Sequence, residues 1–232
     1  MSRKEPIVAI DGPVGAGKSA AARELARELG FSYLNTGAMY RAVAIAAREA
    51  DIDPDDPKVE EKLASILKTI KIKFDGEKIL LNDIDVTARK DEPEIGELAS
   101  RFSAIGAVRA RMRDLQRAAG AEGGVVMEGR DIGTAIFPDA EFKFFLDADV
   151  KTRAHRRYDE LRKKGASITE REVLEQLIER DRRDSGRELA PLKRADDATV
   201  IDSTKLSVAA VVAMMKAKIN DRNNAGKGLK RA

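Results

Sequence analysis

The 232-residue chain has no cysteine and no tryptophan, and His155 is its single histidine. Without cysteine there can be no disulfide and no thiolate metal site. Aromatics amount to 4% of the residues, a poor supply for a surface that stacks single-stranded nucleic acid. No apolar run approaches the roughly 18 residues that a membrane helix needs, which predicts no membrane partner. Residues 1–6 pass straight into an apolar strand and leave no room for a signal peptide, so a cytoplasmic protein is expected. Excess charge is also missing: 43 Lys and Arg face 40 Asp and Glu, a net +3, which describes a mixed surface rather than a nucleic-acid footprint. The basic groups are instead dense over residues 109–117, 153–164 and 180–194, and clustered arginines suit bidentate capture of phosphate. His155 lies within one of these stretches and reads as surface or packing, not as a general base or a ligand.

What the chain does have begins at residues 7–19. Ile7, Val8, Ala9 and Ile10 form a short apolar run stopped by a glycine-rich turn, the pattern of a buried parallel strand. Gly12, Gly17, Lys18 and Ser19 then fit G-x-x-x-x-G-K-[ST], and a helix follows with Ala21, Leu25 and Leu29 on one face. The bare spacing also fits a chance glycine turn; the strand before it and the helix after it are the context that a phosphate-binding loop requires. In that loop, formed by Gly12, Pro13, Val14, Gly15, Ala16 and Gly17, every residue but Pro13 has an N–H group that could turn toward phosphate oxygens, aided by the helix N-terminus at Ser19 and Ala20. Lys18 would reach the β- and γ-phosphates, and the Ser19 hydroxyl would ligate Mg²⁺.

Along the rest of the chain, residues 31–35 read as a second strand. Thr36 is expected to cap a helix running to about Ala50, with Arg41 in its second turn; an anion site and a capped helix with one solvated arginine both fit. Residues 58–100 change texture: an amphipathic helix, a hairpin signalled by Asp75-Gly76, and a third short strand. Helical spacing returns over residues 93–117, broken near Gly106. Further core strands are expected near residues 125, 142 and 200, with a polar loop at 129–134, a basic helix at 150–164, a helix from Glu170 capped by Thr169 and Glu172, and a last helix at 207–219. The sum is an α/β fold, a doubly wound parallel five-stranded sheet with a P-loop, an inserted lobe and a helical excursion.

The G-T-Pase signatures Asn-Lys-x-Asp and Asp-x-x-Gly are missing. Instead Asp11-Gly-Pro-Val-Gly-Ala-Gly-Lys-Ser19, Asn35-Thr-Gly-Ala-Met-Tyr-Arg41, Glu128-Gly-Arg-Asp-Ile-Gly-Thr134, Phe137-Pro-Asp-Ala140 and Glu179-Arg-Asp-Arg-Arg-Asp-Ser-Gly-Arg187 occur in that order, followed by Ala190-Pro-Leu192 and Ile201-Asp-Ser-Thr204. In these segments the chain resembles the bacterial cytidylate (CMP) kinases of the nucleoside monophosphate kinase group, and the likeness covers nearly its whole length. Ala20 stands where relatives often have Thr, and Thr36 where they can have Ser; both hydroxyls that matter, at Ser19 and Thr36, are kept.

The resemblance implies transfer of the γ-phosphoryl of ATP to CMP or dCMP with Mg²⁺. It implies that Arg41, Arg130 and Arg187, helped by Thr36, clamp the CMP phosphate, and that these arginines serve catalysis together with Lys18. By the same resemblance Arg180 and Asp184 hold the ribose, Ser100, Arg109 and Asp131 read cytosine, and Glu128 holds the metal's water shell. Arg153 and Arg157 would belong to a lid that closes over ATP. The implied organisation is core with the P-loop at 1–34, a monophosphate-binding lobe at 35–117 with a bacterial-type insert at 58–100, core at 118–152, lid at 153–170, core at 171–219 and a basic tail at 220–232, in a single folded unit expected to act as a monomer without a stable nucleic-acid partner. The residues alone leave bland readings of two of these features: a solvated charge ladder for Arg180, Asp181, Arg183 and Asp184, and a plain exposed helix for 153–164. A kinase of UMP or AMP, and a P-loop module that binds nucleotide or RNA, are the alternatives.

Overall fold

A computed structural model of the chain describes residues 3–76 and 78–228. In chain order the elements are β1 (Ile7–Asp11), α1 (Lys18–Leu29), β2 (Ser32–Asn35), α2 (Thr36–Glu49), α3 (Val59–Thr69), β3 (Ile72–Asp75), β4 (Lys78–Leu81), β5 (Ile84–Asp85), α4 (Pro93–Phe102), α5 (Gly106–Ala119), β6 (Val125–Gly129), β7 (Phe142–Asp147), α6 (Val150–Lys163), α7 (Glu170–Gly186), β8 (Thr199–Asp202) and α8 (Val208–Gly228). They fall into two compact units, Met1–Tyr33 with Glu122–Ala232, and Leu34–Ala121. Among the described residues no helix is long and apolar enough to cross a membrane.

The first unit is built on a five-stranded sheet of order β2-β6-β1-β7-β8. All five residues of β1 are buried, because the strand is central and pairs in parallel with β6 on one side and β7 on the other. Its register sets Asp11 opposite both Gly129 and Phe145, so β1, β6 and β7 all end at one edge. On one face of the sheet Val8, Ile10, Val126, Phe144 and Ile201 pack against Ala22 and Leu25 of α1 and Val212 and Met215 of α8. Small residues on α1 let that helix lie close to the sheet.

Three local features differ from the sequence expectation. The N-cap of α2 is Asn35, whose side chain accepts from the Ala38 N–H at 3.0 Å, while Thr36 is the first helical residue and is buried. Asparagine caps as well as threonine does, and the cap takes the residue that leaves the strand in extended geometry. The loop after β6 closes into one wide helical turn, Ile132–Ile136, in which Phe137 N donates to Ile132 O at 2.7 Å. The last helix continues through residue 228, since no proline interrupts that polar stretch; residues 229–232 of the expected tail lie outside the described residues.

In the second unit α2 packs against α3, α4 and α5, and α3 packs against α5. Beside the helices β3, β4 and β5 form a small antiparallel sheet whose Ile79 and Leu81 are buried.

Candidate active site

The sheet edge at Asp11 is where the chemistry-bearing groups of the first unit gather. Gly12 has φ 147°, and a Cβ there would lie 2.0 Å from the carbonyl oxygen of Leu146, so only glycine lets the chain leave β1 so close to β7. Gly17 caps α1 in the left-handed region and offers no side chain to its first turn, which leaves those N–H groups facing the loop. Lys18 is buried, and its ammonium donates to the Pro13 carbonyl at 2.6 Å. Burial, then the charge of Arg130, brings the Lys18 pKa down from 10.5 to about 7; Glu128 and Asp11 oppose the shift and Arg180 adds to it.

Glu128, on β6 and only 4% exposed, is held from two sides. Ser19 Oγ donates to its Oε2 at 2.9 Å and the Tyr33 hydroxyl donates to its Oε1 at 2.5 Å. A hydroxyl and a carboxylate side by side form an all-oxygen donor set of the kind hard cations take. Tyr33, whose ring also lies under the Arg23 guanidinium, was not singled out in the sequence; its role comes from a contact 95 residues away, which local pattern cannot reveal.

A second group of charges flanks the first. Arg130, just past β6, donates through Nε to Asp184 Oδ2 at 3.0 Å, and Arg187 Nε donates to the backbone oxygen of Asp184 at 3.3 Å. Asp184 is 4% exposed. Burial alone would raise its pKa, but Arg130, Arg180 and Arg187 together outweigh that and hold it below the usual carboxylate range. Arg130, Arg180, Asp184 and Arg187 are thus brought into one cluster, and Asp184, being buried, is not a rung of a solvated ladder.

In the second unit Ser100 and Arg109 meet at Ser103. The Ser103 hydroxyl donates to the Ser100 carbonyl at 2.7 Å, and Arg109 Nη1 donates to the Ser103 carbonyl at 3.1 Å. The Arg109 guanidinium lies 5.9 Å from the centre of the Tyr40 ring, on α2 next to Arg41. Ser100 Oγ, in a residue 8% exposed, has no hydrogen-bond partner among the described residues, which is costly unless a ligand supplies one.

The whole chain between residues 8 and 221 matches the cytidylate kinase family. Cytidylate kinases of Citrifermentans bemidjiense and Geobacter sulfurreducens are 48% and 46% identical to it, over 93% and 97% of both chains respectively. That of Thermotoga neapolitana is 42% identical over 94% of this chain and 98% of its own. The chain belongs to the cytidylate kinase family. It is a nucleoside monophosphate kinase.

Within this kinase the α6 arginines take separate positions. Arg153 is 6% exposed: its Nε donates to Ala148 O at 2.9 Å, and its Nη1 to Val14 O at 3.3 Å and Asp181 Oδ2 at 2.6 Å. The sequence presents it as one of a run of basic groups, yet it ties α6 to the P-loop and to α7. Arg157 pairs with Glu160 at 2.7 Å on the helix surface. Arg156 donates to Ser203, whose hydroxyl donates to Ala16 O at 2.9 Å, so the base of α6 is joined to the P-loop a second time. His155 sits exposed between Glu170 and Asp159.

Proposed function

We propose that this kinase transfers the γ-phosphoryl group of ATP to CMP and dCMP in the presence of Mg²⁺. The observation that carries the reading is the gathering of cations around the P-loop lysine. Arg130, bonded to Asp184, and Arg180 lie near enough to Lys18 for both to disfavour its protonation. A lysine that serves a donor's phosphates and arginines that serve an acceptor's therefore share one field, and two phosphate-bearing substrates are what such a field attracts.

Phosphoryl transfer asks the protein for little covalent chemistry; it must align acceptor and donor, exclude water and offset charge. Lys18 would exchange the Pro13 carbonyl for phosphate oxygens. Ala20 and the loop residues Gly12, Val14, Gly15, Ala16 and Gly17 would hold ATP by backbone N–H groups, Pro13, which has none, would shape the turn, and Arg153 and Arg157 would contribute from α6. Ser19 would ligate Mg²⁺ directly and Glu128 through water, and the ion when bound would neutralise charge on the phosphates. Arg41, Arg130 and Arg187, with Thr36, would hold the CMP phosphate, while Arg180 and Asp184 take the ribose. Ser100, Arg109 and Asp131 would read the base: cytosine offers acceptors at O2 and N3, which Ser100 Oγ and the Arg109 guanidinium can satisfy, and an amino donor at C4 for the Asp131 carboxylate.

Uracil puts a carbonyl where cytosine has its amino group, so acceptor would face acceptor at Asp131. Asp131→Ala should lower kcat/KM for CMP by about 10- to 100-fold, following the roughly 1–3 kcal/mol of one buried polar contact, and UMP should lose far less. An equal loss for the two substrates would mean that Asp131 orients its neighbours and does not read the base.

A further inference from the structure

We propose that Asp11 is a positioning residue for the acceptor nucleotide: from the end of β1 its carboxylate fixes the segment that carries Arg130 and Asp131. The proposal rests on the reading of those two residues as CMP contacts. The backbone of Asp11 launches the P-loop, since Gly12 follows it, and its side chain points the other way in function. Oδ1 accepts from the Ile132 N–H at 2.8 Å and Oδ2 accepts from the Gly133 N–H at 2.8 Å. The residue is 4% exposed, so neither bond is traded readily for water.

Those two N–H groups open the wide turn at Ile132–Ile136, whose other end is tied to Asp131: Ala135 N and Ile136 N donate to its carbonyl at 2.8 and 3.2 Å. The backbone of Asp131 is therefore held between a strand end and a closed turn. There is little slack, because a Cβ on Gly133 would come within 3.4 Å of Asp11 Oδ2 and 3.2 Å of the Lys143 Cδ. Two adjacent N–H donors in a buried place need two acceptors from one side chain, and a carboxylate has them. Asparagine has one, and would turn its own donor against the second N–H. The consequence is that one residue sets the geometry of both nucleotide loops, the donor's through its main chain and the acceptor's through its side chain.

The test is a KM split. Asp11→Asn should raise KM for CMP by about 10-fold or more and change KM for ATP by less than about 2-fold, following the size of one lost buried hydrogen bond. The preference for CMP over UMP should fall with it, and the Asp11→Asn, Asp131→Ala double variant should show no lower preference than Asp131→Ala alone. If the ATP and CMP constants rise together, Asp11 only supports the fold and the proposal is overturned. If Asp131→Ala by itself leaves the preference intact, the base reading fails, and the KM split of Asp11→Asn still decides the proposal. A measurement on the unaltered kinase covers a variant that folds poorly: without nucleotide the Ile132 and Gly133 amides should exchange slowly with solvent, and exchange at the rate of an exposed loop would overturn the proposal.

Discussion

At the scale of single residues Lys18 is the group on which the proposed transfer depends most. Its ammonium is buried and bonded to a neutral carbonyl, and that burial, with Arg130 adding to it against Glu128 and Asp11, brings its pKa down to about 7 in the ligand-free protein. A triphosphate supplies the missing negative charge and restores the ordinary preference for the protonated form. ATP binding above neutral pH should therefore take up a proton, and the apparent affinity for ATP should weaken as pH rises from about 7 toward 10. Calorimetry at alkaline pH in two buffers of different ionisation enthalpy measures that uptake, and Lys18→Ala should abolish it. The same variant should fold with an unchanged or raised Tm, because the buried charge it removes is a desolvation cost, while kcat falls by at least about 100-fold. Wild-type kcat in that variant would remove Lys18 from the chemistry. The identity of Lys18 was legible in the sequence because the P-loop is a local pattern of spacing. Asp11 and Tyr33 were not, because an aspartate at a strand end and a tyrosine within a strand acquire meaning only through partners more than ninety residues away.

At the scale of elements, the register of β1 and the α6–α7 pair matter most. The alternation of strands and helices and most element boundaries could be read from apolar periodicity, but strand order could not, since it is set by which faces pack after the chain closes. Gly12→Ala tests the exit of the P-loop from β1: with 2.0 Å between the added Cβ and Leu146 O, β1 or β7 must shift, and both Tm and ATP binding should fall. An unaltered melting curve would show that the loop has more room than this. The α6–α7 pair is joined at its base by Arg153 and Asp181, with Arg156 tying α6 to Ser203 after β8, and packed along its length by Ala154, Leu161, Val173 and Leu177. Its far end turns at Gly165, with φ 82°, amid arginines and lysines whose mutual repulsion phosphate would relieve. Hydrogen exchange over residues 153–170 should slow when ATP and CMP are added together; equal protection with and without them would count against a lid. Here the sequence was legible only as a basic run. It could not separate Arg153, which packs inward, from Arg157, which stays at the surface, because a helical face is chosen by its neighbours.

At the scale of the whole molecule, each unit carries its own part of the proposed substrate chemistry. The unit Leu34–Ala121 holds Thr36, Arg41, Ser100 and Arg109, and the unit Met1–Tyr33 with Glu122–Ala232 holds the P-loop, Glu128 and the cluster on Asp184. Membership of the cytidylate kinase family spans both, from residue 8 to residue 221. Phosphoryl transfer from ATP to a cytidine monophosphate is tested by following ADP and diphosphate formation with CMP, dCMP, UMP and AMP as acceptors at equal concentration. One cytidine diphosphate should form for every ADP, kcat/KM values for CMP and dCMP should lie well above those for UMP and AMP, and Lys18→Ala should turn over at least about 100-fold more slowly. Equal rates with all four acceptors, or ADP release without a nucleoside diphosphate product, would contradict the proposed function.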